Sequence, residues 1–396
     1  MATSLAAWAT GFQPSDEDLA LARRALLDTL AVMHGAREHP LSGVFTRLSE
    51  AGRWAALAHV LDYDDLHMQS TTHVSAVCVP AALASGGGAD AYLAAAGVMA
   101  RLGTALGWRH YEAGWHATCT AGAPAAAVAA AVGRGLDAER TAVAMALAIP
   151  AAGGVQRAFG TAAKSLQVAF AVEAGIRAAE LAEAGATADV CAVEDWMELV
   201  GGDPASVDVH GPAVPGGLAV KLYPCCYALQ RPISATLALG PLAANRVRAI
   251  RVATPACSLA PLIHHRPRTG LEGKFSLEYG LAAALIDGRP GLASFSDDAV
   301  RRPDAVRLTQ AVETVTTADG EGGEDLLAGQ VEIEVVLDDG RRLDATLVLP
   351  PGAPDRPPTE EELRSKLELC AGAEADVLAA LSWASAATYL RARLAA

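Results

Sequence analysis

Polar and apolar positions in the first half of the chain follow a helical period. After Ser15, with Asp16, Glu17 and Asp18 behind it, the apolar residues Leu19, Ala22, Leu26, Leu27 and Leu30 recur at helical spacing. Ser15 is a typical N-cap, and the helix dipole favours acidic residues in a first turn. The same spacing predicts helices near 44–61, 76–86, 89–105, 121–132, 137–149 and 161–185. Gly185 is placed to end the last of these.

The pattern changes after about residue 215. Residues 244–256 (ANRVRAIRVATPA) alternate with the period of a strand. Residues 331–350 predict a β-hairpin, because two alternating runs flank Asp339 and Gly340. Helices are expected near 275–286 and 297–310, a loop at 316–327, and a final helical block from Thr359 to 394.

The order of these elements predicts a mainly α fold with a smaller α+β part. Pro- and Gly-rich stretches at 211–217 and 350–358 are the natural hinges. We therefore expect a large helical domain built from residues 1–217 and 356–396, with an α+β domain at 218–355 inserted between them.

Composition narrows the class of protein. The 396 residues are 52% hydrophobic and carry a formal net charge of −14, so a nucleic-acid partner, which requires a basic surface, is not expected. The N-terminus lacks the pattern of a signal peptide, and the apolar runs fall short of the ~20 residues of a membrane span. The seven cysteines include no CxxC pair, which is typical of reduced thiols. We expect a cytoplasmic protein without membrane contact.

Residues 61–80 (LDYDDLHMQSTTHVSAVCVP) concentrate carboxylates and imidazoles. The stretch contains Asp62, Asp64, Asp65, His67 and His73. Such a set is compatible with a metal site, although the spacing matches no closed ligand set. It is equally compatible with acid/base catalysis, in which carboxylates orient a histidine, or with turn formation by the aspartates.

A second stretch, 107–122 (GWRHYEAGWHATCTAG), carries His110 and His116 between tryptophans and glycines. His116 directly precedes an alanine-rich helix, and backbone N–H groups at a helix start favour anions. A histidine at this position suits recognition or protonation of a carboxylate. A core histidine bonded to backbone is an equally good interpretation.

Two lysines and a tyrosine complete the candidates. Lys164 lies in an apolar helix without an acidic residue four positions later, and Lys221 follows the first hinge, where a cleft between domains would form. Lysines beside an acid/base histidine would fit a polycarboxylate substrate. Tyr279 is a possible proton donor. No dinucleotide-binding GxGxxG, Walker A, HExxH or GxSxG motif is present in the sequence.

Five motifs in order resemble the MmgE/PrpD family. They are DYDD with a histidine eight residues after the last aspartate, GWHAT, AAKSLQ, VKLYPCC, and TGLEGKFSLEY followed by ALIDG. The resemblance runs from about residue 10 to the C-terminus. It implies a large helical domain made from both chain ends, a smaller α+β lid, a homodimer, and no metal or organic cofactor.

The resemblance also implies roles for individual residues. Asp62, His73, His116 and Tyr279 would be catalytic, with Lys164 and Lys221 holding substrate carboxylates. Trp115 would shape the wall of the pocket. Two positions depart from the pattern of dehydratase and decarboxylase members: Leu66 replaces a hydroxyl residue, and Gln167, counted among the substrate-binding candidates, replaces a histidine.

The implied activity is that of a cofactor-independent lyase of the 2-methylcitrate dehydratase type. It would remove a proton next to a carboxylate of a small di- or tricarboxylate. Epimerisation of an amino- or imino-dicarboxylate is an alternative, which the two departures favour, and decarboxylation of the cis-aconitate decarboxylase type is another. A non-catalytic polycarboxylate-binding protein is the hypothesis from a different class.

Overall fold

A computed structural model describes residues 1–317 and 329–394. Its first half is helical. The helices are α1 (Ala2–Gly11), α2 (Asp16–Gly35), α3 (Ser42–Phe45), α4 (Glu50–Val60), α5 (Val74–Ala84), α6 (Ala89–Glu112), α7 (Ala117–Thr120), α8 (Gly122–Gly133), α9 (Ala138–Ala148), α10 (Ala162–Glu183) and α11 (Ala192–Leu199).

The predicted start of α2 is confirmed. The Ser15 side chain accepts from the Asp18 backbone N–H, and the Asp18 carboxylate accepts from the Ser15 N–H, which makes a capping box. Such a cap is worth about 1 kcal/mol. Helix α1 was not predicted, because its 10 residues, four of them alanine, lack a strong polar face.

Small residues allow the helices of this half to pack closely. Helix α10 packs against α4, α8 and α9. Gly175 of α10 lies so close to α8 that an added Cβ would come within 2.6 Å of the Ala123 carbonyl oxygen. The alanine-rich composition is therefore explained by short distances between helices.

The second half contains helices and a small sheet. The helices are α12 (Tyr227–Ala238), α13 (Gly270–Gly273), α14 (Leu277–Asp287), α15 (Asp297–Val300) and α16 (Pro303–Gln310). The strands are β1 (Val247–Pro255), β2 (Val312–Thr317), β3 (Val331–Leu337) and β4 (Arg342–Leu347), in the order β2-β1-β3-β4. β1 runs parallel to β2 and antiparallel to β3, and β3 pairs with β4 as a hairpin.

These elements confirm the predicted strand at 244–256 and the hairpin around Asp339 and Gly340. Gly340 has φ +85°, which suits the tight turn. β2 was not predicted, and neither was α12, where Pro232 stands inside the helix. Most of the loop expected at 316–327 lies outside the described residues.

The last helices are α17 (Glu360–Ala371), α18 (Ala375–Ala380) and α19 (Trp383–Arg393). α17 and α18 pack against α2, and α19 packs against α5. Their buried residues, such as Cys370, Leu378 and Leu390, join the same hydrophobic cluster as residues of the first half. A second cluster contains residues of α12, α14, α16, β1 and β3. The fold is mainly α with a small α+β part. The division into a helical domain of residues 1–217 and 356–396 and an inserted α+β domain of residues 218–355 stays a prediction.

Over the residues that the structure describes, none of the helices is both long and apolar enough for a bilayer span.

Candidate active site

Asp62 lies at the centre of a buried cluster of charges. It follows the end of α4 and has φ +52°, an unusual backbone conformation for a residue other than glycine. Its Oδ1 atom accepts hydrogen bonds from Lys164 Nζ and Lys221 Nζ, each at 3.0 Å. Lys221 Nζ also donates to the Asp62 carbonyl oxygen at 3.0 Å. The fold thus gathers three predicted site residues from separate parts of the chain.

The two ammonium groups keep this carboxylate charged. Burial alone would raise the pKa of Asp62, but Lys164 and Lys221 outweigh burial and lower that pKa below its ordinary value. Burial alone would lower the pKa of Lys221, but Asp62 and Asp64 outweigh burial and raise that pKa above its ordinary value. The Oδ2 atom of Asp62 is buried and has no hydrogen-bond partner among the described residues.

His59, at the end of α4, connects Asp64 to Lys164. His59 Nδ1 lies 2.7 Å from Asp64 Oδ2, and Lys164 Nζ lies 2.6 Å from His59 Nε2. Because an ammonium group only donates, His59 Nε2 accepts, and Nδ1 donates to the carboxylate. Burial lowers the pKa of His59, which agrees with a neutral ring. His59 was missed by sequence reasoning; its position three residues before Asp62 was the available signal.

His73 stands at the N-terminus of α5 beside the same carboxylates. Its Nδ1 lies 3.1 Å from Asp64 Oδ2, and its Nε2 lies 3.9 Å from Asp62 Oδ1. Burial lowers the pKa of His73 to about 3, although Asp64 opposes this effect. His73 is therefore a neutral imidazole beside two carboxylates, and burial reduces its basicity.

His116 precedes α7 and joins the cluster through its ring. The ring stacks on His59 with centroids 5.7 Å apart, and the edge of Phe159 meets it at 5.0 Å. His116 Nδ1 lies 2.6 Å from Gln167 Nε2, while His116 Nε2 is buried without a partner among the described residues. Burial and then the charge of Lys164 lower the pKa of His116 well below 6.5.

A cavity lies against these groups. Aromatic rings form much of its wall. Two of them, Phe159 and Phe275, stack on each other with centroids 5.1 Å apart. The residues that line it include Asp62, Leu66, His73, Tyr111, His116, Phe159, Lys164 and Tyr227. Four of the predicted site residues, Asp62, His73, His116 and Lys164, thus face one enclosed space.

The other predicted site residues take different positions. Lys221 is fully buried behind Asp62, so its ammonium group holds that carboxylate and is absent from the described cavity lining. The Trp115 ring stacks on His110 at 5.6 Å, and Gln167 contacts His116. Neither Trp115 nor Gln167 is among the described residues that line the cavity.

Tyr279 is not brought to this cluster. It lies in α14, is fully buried, and donates its hydroxyl proton to the Ser294 carbonyl oxygen. Burial raises the pKa of Tyr279 to about 12. A hydroxyl that is already bonded to backbone and missing from the described cavity lining does not support the expected catalytic role.

Lys274 is a cation that the sequence reasoning did not select. It follows α13, and its Nζ donates to the carbonyl oxygens of Leu61 and Pro224, at 2.8 and 2.7 Å. It lines a small cavity shared with His59, Asp62 and Lys164. Burial lowers the pKa of Lys274 to about 8, so most of it is charged at neutral pH. Three lysines therefore face two aspartates, Asp62 and Asp64, a balance that favours an anionic ligand.

A metal ion fits this cluster poorly. Ligand atoms of His59, Asp62, Asp64 and His73 lie within 4.8 Å of one another, a spacing that a cation could use. However, two ammonium groups already share Asp62 Oδ1, and Lys164 also occupies His59 Nε2. A metal ion would have to displace these ammonium groups or bind against their electrostatic repulsion. A site without a metal ion stays our prediction.

Two other polar residues of the 61–80 stretch have structural partners. Asp65 accepts from the Ser75 backbone N–H and hydroxyl at the start of α5. His67 contacts Ser70 Oγ at 2.7 Å and the Pro215 carbonyl oxygen at 2.6 Å. In the same way, His110 lies 2.9 Å from Thr120 Oγ1 and 2.8 Å from the Val200 carbonyl oxygen. These contacts fix loops around the cavity.

Comparison with known proteins gives consistent matches. The MmgE/PrpD N-terminal domain matches residues 48–197, and the MmgE/PrpD C-terminal domain matches residues 223–381. A cis-aconitate decarboxylase of Aspergillus terreus (strain NIH 2624 / FGSC A1156) is 28% identical over 366 residues, covering 81% of this chain and 74% of the relative. A second cis-aconitate decarboxylase of Aspergillus terreus is 27% identical over 368 residues, with the same coverage.

Proposed function

The chain belongs to the MmgE/PrpD family, and on that premise we propose that it is a cofactor-independent lyase of a small di- or tricarboxylate. Family and relatives support a lyase acting on a carboxylate. The single observation that carries the finer proposal is the cavity in which Asp62, His73, His116 and Lys164 meet.

Among the described residues that line the cavity, Lys164 is the cation available for direct contact with a substrate carboxylate. Lys164 Nζ donates two of its three N–H groups to hydrogen bonds with Asp62 and His59. The third has no hydrogen-bond partner among the described residues and can bind a carboxylate oxygen, and the 5% exposure of Lys164 means that this contact is made away from bulk water. A carboxylate neutralised in this way stabilises the negative charge that develops when a neighbouring C–H bond breaks.

In the dehydration that we propose, a base on the cavity wall takes the proton from the carbon next to the carboxylate. The electron pair of that C–H bond forms the C=C bond, and the hydroxyl group on the adjacent carbon leaves as water after it receives a proton. His73, held beside Asp64, and Asp62 Oδ2, which has no hydrogen-bond partner among the described residues, are the groups that we propose for proton removal.

Decarboxylation is the second candidate, because both relatives are named cis-aconitate decarboxylase. In that reaction the bond between carbon and carboxylate breaks, CO2 leaves, and a proton from the wall replaces it. Leu66 lines the cavity and offers no hydrogen bond to a substrate, so at this position the pocket would favour an apolar substrate group over a polar one.

Product analysis tests the proposal. The purified protein is incubated separately with 2-methylcitrate, citrate, cis-aconitate and amino- and imino-dicarboxylates, and products are identified by NMR and mass spectrometry. Dehydration lowers the substrate mass by one water and decarboxylation by one CO2, whereas epimerisation changes configuration at constant mass. Stoichiometric binding of one of these compounds without any product would instead indicate a binding protein.

A further inference from the structure

The side chain of Gln167 is oriented by the backbone of residue 155. Gln167 Oε1 accepts a hydrogen bond from the Val155 N–H at 3.1 Å. Since a backbone N–H can only donate, the atom bonded to it is the amide oxygen, and the amide NH2 group is the one that donates to the Val155 carbonyl oxygen at 3.4 Å and lies beside His116. That NH2 group lies 2.6 Å from His116 Nδ1.

This contact determines which nitrogen of His116 carries the proton. An amide NH2 group is a donor, so His116 Nδ1 accepts and has no proton of its own. Cys119 Sγ, 3.2 Å from the same nitrogen, carries another hydrogen that can be donated, because burial raises the pKa of this thiol. A neutral imidazole with an accepting Nδ1 holds its proton on Nε2.

The proton is then on the nitrogen that has no protein partner. His116 Nε2 is buried and unbonded among the described residues, and His116 lines the cavity. His116 is 2% exposed, so bulk water does not satisfy this N–H. A buried donor without a partner is costly, by roughly 1–3 kcal/mol, unless a ligand accepts from it.

We propose that Gln167 is a positioning residue that fixes His116 in the tautomer with the proton on Nε2, so that His116 offers the substrate a hydrogen-bond donor. In this arrangement the neutral His116 cannot be the group that first removes a proton. Proton removal is left to His73 or Asp62, and His116 stabilises an oxygen of the substrate as charge develops on it. The inference deepens the proposed function, on which it rests for the contact between His116 and substrate.

The tautomer itself is measured without any substrate. Protein labelled with 15N in the histidine rings is examined by long-range 1H–15N NMR, and the His116 signals are identified by their loss in His116→Gln. We expect an unprotonated Nδ1 and a protonated Nε2 in the wild-type protein. In Gln167→Glu, whose carboxylate can accept from the ring, we expect the proton on Nδ1. A wild-type spectrum with the proton on Nδ1 would overturn the inference.

Kinetics test the functional half separately. With the substrate identified by product analysis, Gln167→Glu should lower kcat at least about tenfold, because the donor on Nε2 is lost. Gln167→Met, which keeps the volume but removes the amide, should fall between Gln167→Glu and the wild type. The exposed Gln330→Glu, which adds the same charge elsewhere, should behave as wild type.

The outcomes separate the two proposals. The expected tautomer with full activity in Gln167→Glu would show that the tautomer does not serve catalysis, and would overturn the positioning role. Failure of every candidate substrate would count against the proposed function, while the NMR result would still decide which nitrogen carries the proton.

Discussion

The ammonium group of Lys164 lies 3.0 Å from Asp62 Oδ1, although 102 positions separate the two residues in the chain. The same ammonium group lies 2.6 Å from His59 Nε2. Lys164 comes from the first turn of α10, while Asp62 and His59 come from the end of α4, and these two helices pack together. The packing of two helices therefore places a cation between an anion and a neutral imidazole at the wall of the cavity.

Lys164 and Lys221 are predicted to have different roles. Both bind Asp62 Oδ1, but only Lys164 is among the described residues that line the cavity. Lys164→Met should raise KM by about tenfold or more, since a charged hydrogen bond to the substrate is worth about 1.5–3 kcal/mol. Breaking a buried ion pair costs about 3–5 kcal/mol, so both variants should lose stability, but Lys221→Met should do so with little change in KM. Steady-state kinetics and urea unfolding of both variants measure the difference; an equal rise of KM in both would contradict it.

His116→Ala is predicted to lower kcat far more than it lowers stability. The change removes the contact of His116 Nδ1 with Gln167 and the ring contact with Phe159, so some loss of Tm is expected, but acid/base or donor groups contribute about 100-fold or more to rate. His110→Ala is the matched control, because His110 is bonded to Thr120 and Val200 and should reduce Tm while leaving kcat within a few-fold. Activity of His116→Ala within a few-fold of wild type would remove His116 from the mechanism.

Tyr279→Phe is predicted to leave the activity intact. The Tyr279 hydroxyl bonds to the Ser294 carbonyl oxygen, so its removal should cost about 1 kcal/mol of stability or somewhat more. The measurement is kcat/KM together with the free energy of unfolding. A large fall in kcat with unchanged stability would restore the catalytic role that the family resemblance implies for this residue.

His73 is predicted to make the fold sensitive to acid. Its pKa is about 3 in the folded state and about 6.5 when unfolded, so the unfolded chain binds the extra proton between these values. The stability contributed by the neutral ring is present above pH 6.5 and is lost as pH falls toward 3. Between pH 7 and pH 5 this one group should lower the free energy of unfolding by about 2 kcal/mol. Urea unfolding at both pH values should show a correspondingly smaller loss in His73→Gln; equal losses in the two proteins would contradict the assignment.

Chelators are predicted to leave kcat/KM unchanged. The four possible ligands, His59, Asp62, Asp64 and His73, are already engaged with one another or with the ammonium groups of Lys164 and Lys221. The check is activity before and after prolonged treatment with a strong chelator, with metal content measured in parallel. A loss of activity that an added divalent metal restores would show that the cluster is a metal site.

The sequence predicted much of the fold because its periodic signals are local. Neighbouring residues alone determine three of these signals: the cap at Ser15, the alternating strand at 244–256 and the hairpin at Asp339–Gly340. β2 and α12 were missed for a physical reason. β2 is a six-residue edge strand with few buried side chains, and α12 contains Pro232, which as an isolated signal argues against a helix.

The site was predictable only where a motif marks it. Asp62, His73, His116 and Lys164 were predicted as site residues, and the structure brings them to one cavity, while their roles stay predictions. The direction in which a side chain points depends on packing between distant helices, which no local pattern contains. This is why Lys221 and Tyr279 were expected at the substrate, and why His59, which relays between Asp64 and Lys164, was overlooked.

The most direct test of the central claim, acid/base chemistry next to a carboxylate, is the incorporation of solvent deuterium. Chelator-treated protein is incubated in D2O with each candidate di- and tricarboxylate, and the carbon-bound hydrogens of substrate and product are followed by NMR. We predict that an unsaturated acid that the protein accepts gains deuterium on carbon, next to a carboxylate when water adds to its C=C bond, at a rate that falls at least about 100-fold in His73→Gln. A product formed in D2O from an unsaturated acid, by addition of water or by loss of CO2, without deuterium on carbon would contradict the proposal, and so would exchange that is unchanged in both His73→Gln and Asp62→Asn.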